Sequence, residues 1–208
     1  MAISDVDQLI LKVDQADSAD ALLEAVEDLA EASSIKAIPT LIQVLGFNNP
    51  GAAVAAVDGL IKIGDPVIPF LLESLDDYNY GARAWSLRVF AGVGDPVALD
   101  LLLKAAVTDF SQSVRRAAAR GLGTINWLKL PSAQIADAQQ QVLETLLLAT
   151  EDGEWVVRYA VAGALQSLAQ TQPSFRSQIK LKLQFLVEQD PEIAIQARAK
   201  LALANISL

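Results

Sequence analysis

Gly94-Asp95-Pro96 ends one apolar helical stretch and begins another, and Gly64-Asp65-Pro66 does the same thirty residues earlier. Each residue of the tripeptide has a physical job. Glycine suits the left-handed cap that closes a helix, aspartate caps the exposed amides of the next one, and proline fits a first helical turn. A short connector recurring between amphipathic helices marks an α-solenoid, in which each unit buries its apolar face against its neighbours.

The helices that precede or follow these connectors align in one register. Ala53-Val54-Ala55-Ala56-Val57-Asp58-Gly59-Leu60 stands over Arg83-Ala84-Trp85-Ser86-Leu87-Arg88-Val89-Phe90. Arg115-Arg116-Ala117-Ala118-Ala119-Arg120-Gly121-Leu122 follows, then Arg158-Tyr159-Ala160-Val161-Ala162-Gly163-Ala164-Leu165, then Gln196-Ala197-Arg198-Ala199-Lys200-Leu201-Ala202-Leu203. The first slot reads Ala, Arg, Arg, Arg, Gln, and successive slots lie 30, 32, 43 and 38 residues apart. Leu22–Leu29 fits as an earlier, acidic version. The longest interval contains Lys129–Ala136 with Pro131, which predicts an insertion there.

Counting the first slot as zero and taking about 100° per residue, offsets −1, +3, +6, +7 and +10 form one apolar stripe about 100° wide, as a buried helix face requires. Small residues at +6 (Gly59, Gly121, Ala164, Ala202) permit close helix approach. The opposite face centres on +1, +5 and +8 and carries Arg88, Arg116, Arg120 and Tyr159, with Tyr80 and Trp155 at −3 on the lip of the same side. Trp85 at +2 borders the stripe and is expected to pack.

Composition removes much chemistry. Among 208 residues there is no Cys and no His. Disulfides, thiolate nucleophiles, Cys/His metal sites and histidine acid–base catalysis are therefore excluded, and no metal site or catalytic side chain is assigned. The net charge of −9 is concentrated: residues 5–31 hold nine acids and one base. Such a chain is a poor binder of nucleic acid, whose affinity rests on Lys and Arg displacing counterions. It is also repelled by anionic membranes. Met1-Ala2-Ile3-Ser4-Asp5 lacks the basic start of a signal peptide. The charge-free stretch Ala37–Val57 is broken by Phe47-Asn48-Asn49-Pro50-Gly51, so it reads as two short helices and no membrane insertion is expected. The expected location is cytoplasmic.

The alignment resembles the HEAT repeat, in which a Val-Arg pair begins the second helix of each hairpin. The fold implied is all-α: an α-solenoid of about five to six HEAT-like helical hairpins forming a curved right-handed superhelix. One domain over 1–208 is expected, with an acidic N-terminal cap (1–34), regular repeats (35–128), an insertion (129–137) and C-terminal repeats (138–208). In HEAT arrays the second helices line the concave surface, which makes the +1/+5/+8 face the expected binding surface.

A longer motif string is more specific. Asp77-Tyr78-Asn79-Tyr80-Gly81-Ala82-Arg83-Ala84-Trp85, Gly94-Asp95-Pro96 and Asp109-Phe110-Ser111-Gln112-Ser113-Val114-Arg115-Arg116-Ala117-Ala118 resemble the HEAT-repeat phycobilin lyases of the E/F type. The short length is that of the F-type subunit. The resemblance implies a subunit of an E–F heterodimer that binds a linear tetrapyrrole, phycocyanobilin, as substrate and positions it for thioether attachment to a phycobiliprotein cysteine. The alpha chain of phycocyanin is the expected acceptor. No permanently bound cofactor is implied. A related lyase-isomerase branch carries a His-Cys pair, absent here, so ligation without isomerisation is expected. The competing readings are a non-enzymatic HEAT adaptor, such as a phycobilisome degradation factor, and a generic protein-binding solenoid.

Such a lyase needs no Cys or His of its own, because the acceptor brings the nucleophile and the enzyme need only hold and orient the bilin. Its propionates call for arginine and its conjugated rings for aromatic side chains. Tyr80, Arg88, Arg116, Arg120, Trp155 and Tyr159 are the candidate bilin-binding residues. Within the lyase-like string stand Tyr78, Tyr80, Arg83, Trp85, Asp109, Arg115 and Arg116; only Tyr80 and Arg116 meet both criteria. Arg83, Arg115 and Arg158 recur in one slot and read instead as a structural arginine ladder. Loop carbonyls or an inter-repeat carboxylate such as Asp65, Asp95 or Asp109 would satisfy it. Asp76-Asp77 and Glu151-Asp152 read as helix caps and loop solvation.

Overall fold

A computed structural model describes residues 5–75 and 79–207; Asp76, Asp77 and Tyr78 lie outside the described residues. The described residues form twelve α-helices joined by short 3-10 turns, in hairpin order, and the expected all-α fold class is the one found. They divide into two compact units, Met1–Val93 and Gly94–Leu208.

The first unit holds α1 (Asp5–Gln15), α2 (Ala19–Glu31), α3 (Ile38–Val44), α4 (Pro50–Ile63), α5 (Ile68–Glu73) and α6 (Tyr80–Val93). Helices α2, α4 and α6 pack side by side. The interruption at Phe47–Gly51 falls where expected: α3 ends at Val44 and Asn49 caps α4, its Oδ1 accepting from the Ala52 amide at 3.1 Å. The close approach expected at offset +6 is real at Gly59. A Cβ there would lie 2.6 Å from the Ala30 Cβ of α2, so the two helices meet backbone to backbone. All nine acids of residues 5–31 face solvent. Three lysines answer some of them, Lys62 to Glu31 at 2.8 Å, Lys12 to Asp28 at 3.3 Å and Lys36 to Asp7 at 3.5 Å.

The second unit holds α7 (Leu99–Thr108), α8 (Gln112–Leu122), α9 (Ser132–Ala149), α10 (Trp155–Thr171), α11 (Arg176–Gln189) and α12 (Ile193–Ser207). Helices α8, α10 and α12 pack side by side, each against its hairpin partner α7, α9 or α11. The long interval after α8 holds a 3-10 turn at Trp127–Lys129 and the eighteen-residue α9.

Burial follows the sequence register. On α8 the stripe residues Val114, Ala118, Gly121 and Leu122 are buried, as is Ile125 just beyond its end, and on α10 so are Val157, Val161, Ala164, Leu165 and Leu168. The Gly-Asp-Pro connectors behave as expected in their glycines, with φ of +81° at Gly64 and +70° at Gly94. The prolines differ. Both sit in 3-10 turns, Asp65–Val67 and Pro96–Ala98, which lead into the α-helices rather than forming their first turn. Asp95 caps its turn by accepting from the Val97 amide at 3.0 Å.

Candidate functional site

Arg115 and Arg158 of the arginine slot are structural: each binds loop carbonyls, as expected, and an inter-repeat carboxylate other than the three expected. Arg158 is buried, and its Nε and Nη2 donate to the two carboxylate oxygens of Asp190 at 2.8 and 2.9 Å. Its Nη1 donates to the carbonyls of Asp152 and Gly153. Arg115 repeats the pattern one hairpin earlier, with Nε and Nη2 on Asp152 at 2.6 and 3.0 Å and Nη1 on the carbonyls of Asp109 and Phe110. The inter-repeat carboxylates of these two arginines are thus Asp152 and Asp190, not Asp65, Asp95 or Asp109. Asp109 contributes its carbonyl, and Asp95 binds Lys129 at 3.2 Å.

Each acceptor aspartate is held ready by its own turn. Asp109, Asp152 and Asp190 all accept from the amide two residues ahead. At Asp152 burial pushes the carboxyl pKa up. The bonds from Arg115 and the Glu154 amide, with the charges of Arg115 and Arg158, outweigh it and hold the group below the ordinary carboxylate range. Asp190 is depressed in the same way, burial opposing and Arg158 with the Glu192 amide prevailing. Of Glu151-Asp152, only Asp152 departs from the expected solvation, locking Arg115, whereas Glu151 stays exposed with Lys182 at 3.2 Å.

One residue along the helix, the arginines face out. Arg116 and Arg120 lie exposed on α8, one turn apart. On the neighbouring α10, Trp155 and Tyr159 are 46% and 45% exposed, also one turn apart and on the same face. The second unit thus brings four of the six candidate residues onto one surface, arginines on one helix and aromatics on the next. That surface continues onto α12 through Ile193 and Leu201, at the same −3 and +5 offsets as Trp155 and Arg120. The register that singled out Trp155 would have found both.

Tyr80 and Arg88 belong to the first unit. Tyr80 opens α6 and is half exposed. Arg88 is half-buried, its guanidinium 4.5 Å from the centroid of the Trp85 ring. Trp85 is half-buried at the border of the core stripe, as expected. With Tyr80, Phe47 and Asn79 it lines a pocket of about 300 Å3 between the α3–α4 loop and the start of α6. Phe47 and Asn79 went unremarked in the sequence as site residues, although Asn79 lies inside the lyase-like string. Among the described residues no group of His, Cys, Asp or Glu side chains converges to hold a metal ion, and no helix is long and apolar enough to cross a membrane.

Hairpins with a recurrent arginine at the head of the second helix define a class. The HEAT-repeat family pattern matches residues 6–91, 68–166 and 99–204, so the chain is a HEAT-repeat protein. It is 50% identical over 202 residues to the phycocyanin alpha phycocyanobilin lyase CpcF of Synechocystis sp., covering 97% of this chain and 94% of the relative. A phycobilisome maturation protein of Synechococcus elongatus is 54% identical over 94% of this chain and 95% of its own. Among solved structures, the complex of CpcE and CpcF of phycocyanin lyase from Nostoc sp. matches with a TM-score of 0.77 and 47% identity, over 81% of this chain and 99% of that one. The chain belongs to the family of F-type phycobilin lyase subunits.

Proposed function

We infer that the chain acts as the F-type subunit of a heterodimeric phycobilin lyase, which attaches a bilin to a cysteine of a phycobiliprotein. Near-full-length identity of 50% to a phycocyanin alpha phycocyanobilin lyase carries this reading. Phycocyanobilin is the substrate, an E-type subunit is the partner, and the alpha chain of phycocyanin is the acceptor. The working location is the cytoplasm.

The reaction is an addition with no leaving group. The acceptor sulfur bonds to the ethylidene carbon of the bilin, and the thiol proton passes to the tetrapyrrole. The nucleophile comes with the acceptor protein, so a lyase chain without Cys or His contributes by holding the bilin and excluding competing geometries. Arg116 and Arg120, exposed and one turn apart, suit two propionates, which a guanidinium holds bidentately. Trp155 and Tyr159 offer flat apolar surface to conjugated rings. Within the first unit, Tyr80 and Arg88 are an aromatic and a cationic side chain of the same two kinds. With no His-Cys pair in the chain, attachment proceeds without isomerisation.

Reconstitution tests the reading. Apo-phycocyanin alpha chain, bilin-synthesising enzymes and an E-type subunit are co-expressed with and without this chain. Covalent chromophore is then read on the denatured acceptor by absorbance and mass. Attachment at one cysteine only when this chain is present is the expected result. No difference, with folded partners and a confirmed bilin supply, refutes it and favours the adaptor or degradation-factor reading.

A further inference from the structure

The pocket in the first unit has chemistry of its own. Its floor and walls come from Leu45–Pro50 and from Asn79, Tyr80, Ala82 and Trp85. At about 300 Å3 it lies at the small end of ligand sites, which run to about 1,000 Å3. That is room for part of a linear tetrapyrrole and not for its length. Its flat surfaces are Phe47, Tyr80 and Trp85, the first two exposed to an incoming group.

Its polar groups are not equivalent. Asn49 is fully used: its Oδ1 accepts from the Ala52 amide and its Nδ2 donates to the Ala19 carbonyl at 3.0 Å. Asn79 is half used. Its Oδ1 accepts from the Ala82 amide at 2.9 Å, whereas its Nδ2 has no acceptor among the described residues. That amide group lies over Gly46, 3.5 Å from where a Cβ would stand. The cavity therefore presents the Asn79 Nδ2 donor beside aromatic walls. Such a pattern fits a planar conjugated ring carrying a carbonyl.

We propose that this pocket seats a terminal lactam ring of the linear tetrapyrrole, with Asn79 Nδ2 donating to the lactam carbonyl and Trp85 and Tyr80 packing on the ring. The proposal rests on the lyase reading above and concerns the first unit alone. Arg88 is here a positioning residue. Its guanidinium stacks on Trp85 and fixes the ring plane that lines the pocket, an interaction that stiffens an aromatic wall. The lactam carbonyl suits the site because it is a strong acceptor on a flat conjugated ring. A free carboxylate would be a poorer guest, since among the described pocket-lining residues none is cationic.

Two substitutions test this with little disturbance to the fold. Gly46→Leu fills the pocket from an exposed turn, where a Cβ meets only ordinary contacts at 3.4 and 3.5 Å. Asn79→Asp keeps the Oδ1 that caps α6 and puts a carboxylate oxygen, an acceptor, where the Nδ2 donor stood. Each variant, co-expressed with the E-type subunit, is titrated with phycocyanobilin and followed by induced circular dichroism and visible absorbance. Loss of a single hydrogen bond lowers affinity up to about tenfold, and we expect that loss for Asn79→Asp together with a changed bilin spectrum. Gly46→Leu is expected to lose at least as much, with thermal stability and partner assembly unchanged in both. Wild-type affinity and spectra in both variants would overturn the pocket assignment while leaving the lyase reading intact. Failure of the wild-type pair to bind or transfer bilin would instead overturn the lyase reading and, with it, the pocket assignment.

Discussion

Replacing Arg158 with alanine isolates what holds α10 to the hairpin that follows it. The guanidinium makes four hydrogen bonds, two of them to a carboxylate whose side chain is only 3% exposed, while its own is 10% exposed. Removal strands the Asp190 charge in a site with little water and leaves the Asp152 and Gly153 carbonyls without their donor. Breaking a buried pair from one side costs about 3–5 kcal/mol. For a chain of this size that corresponds to a fall in Tm of roughly 6–20 °C, at about 2–4 °C per kcal/mol. Solenoids lose stability locally, so hydrogen exchange should speed up first in α11 and α12. Denaturant unfolding followed by far-UV circular dichroism gives the global figure, and Asp190→Ala with the double variant gives the coupling. A loss below about 1 kcal/mol, the level of an exposed ion pair, would refute the account of Arg158 as a buried structural clasp.

The same pairs set an acid limit. Asp152 and Asp190 have folded pKa values below the unfolded value of about 3.9. Their stabilisation is therefore complete above about pH 4 and is lost as pH falls through the lower folded values. Thermal unfolding between pH 7 and pH 2 should show this loss only below about pH 4, and Asp190→Asn should flatten it. Gly59→Ala should cost about 1–3 kcal/mol by overpacking against Ala30, measured by urea denaturation. Arg116→Ala and Arg120→Ala should lower bilin transfer several-fold while shifting stability by less than about 0.5 kcal/mol. Arg115→Ala should do the reverse and mainly destabilise. A silent Arg116→Ala beside a folded but inactive Arg115→Ala would reverse the assignment of faces.

The second-helix faces were legible in the sequence because burial there obeys one simple rule. The residues at −1, +3 and +6 must be apolar or small on every copy, and five copies average out local exceptions. The turn at Phe47–Gly51 was legible because Asn and Pro serve a helix start and little else. Partner choice was not legible. Arg115 reaches Asp152, 37 residues away, and the variable interval lengths hide that distance. A signal was nonetheless present, since Asp109, Asp152 and Asp190 all stand six residues before the slot, ahead of Arg115, Arg158 and Gln196. Gln196 confirms the rule by donating to the Asp190 carbonyl at 2.9 Å, as the arginines donate to theirs. The pocket was invisible for a different reason. It forms where the loop of one hairpin meets the first turn of the next, and no periodicity of a single helix reports such a junction. Trp85, at the border between stripe and face by its offset of +2, is half-buried as that border requires, and only its place in the pocket wall was hidden.

Arg115 and Arg116 are adjacent and chemically identical, yet the fold gives them opposite work. A 100° turn of the helix separates a side chain bonded to Asp152 and two loop carbonyls from one standing in solvent. The inward arginine must be arginine for architecture, because a planar fork can meet a carboxylate and two carbonyls at once and lysine cannot. The outward one is under no such demand, and its neighbours on α10 are aromatic where an ordinary solvated face would be polar. An exposed cation beside exposed Trp155 and Tyr159 costs the folded chain apolar hydration that a purely structural surface would avoid. On the lyase reading proposed above, that expense fits a face that receives a ligand both anionic and conjugated, which is the chemical description of a bilin.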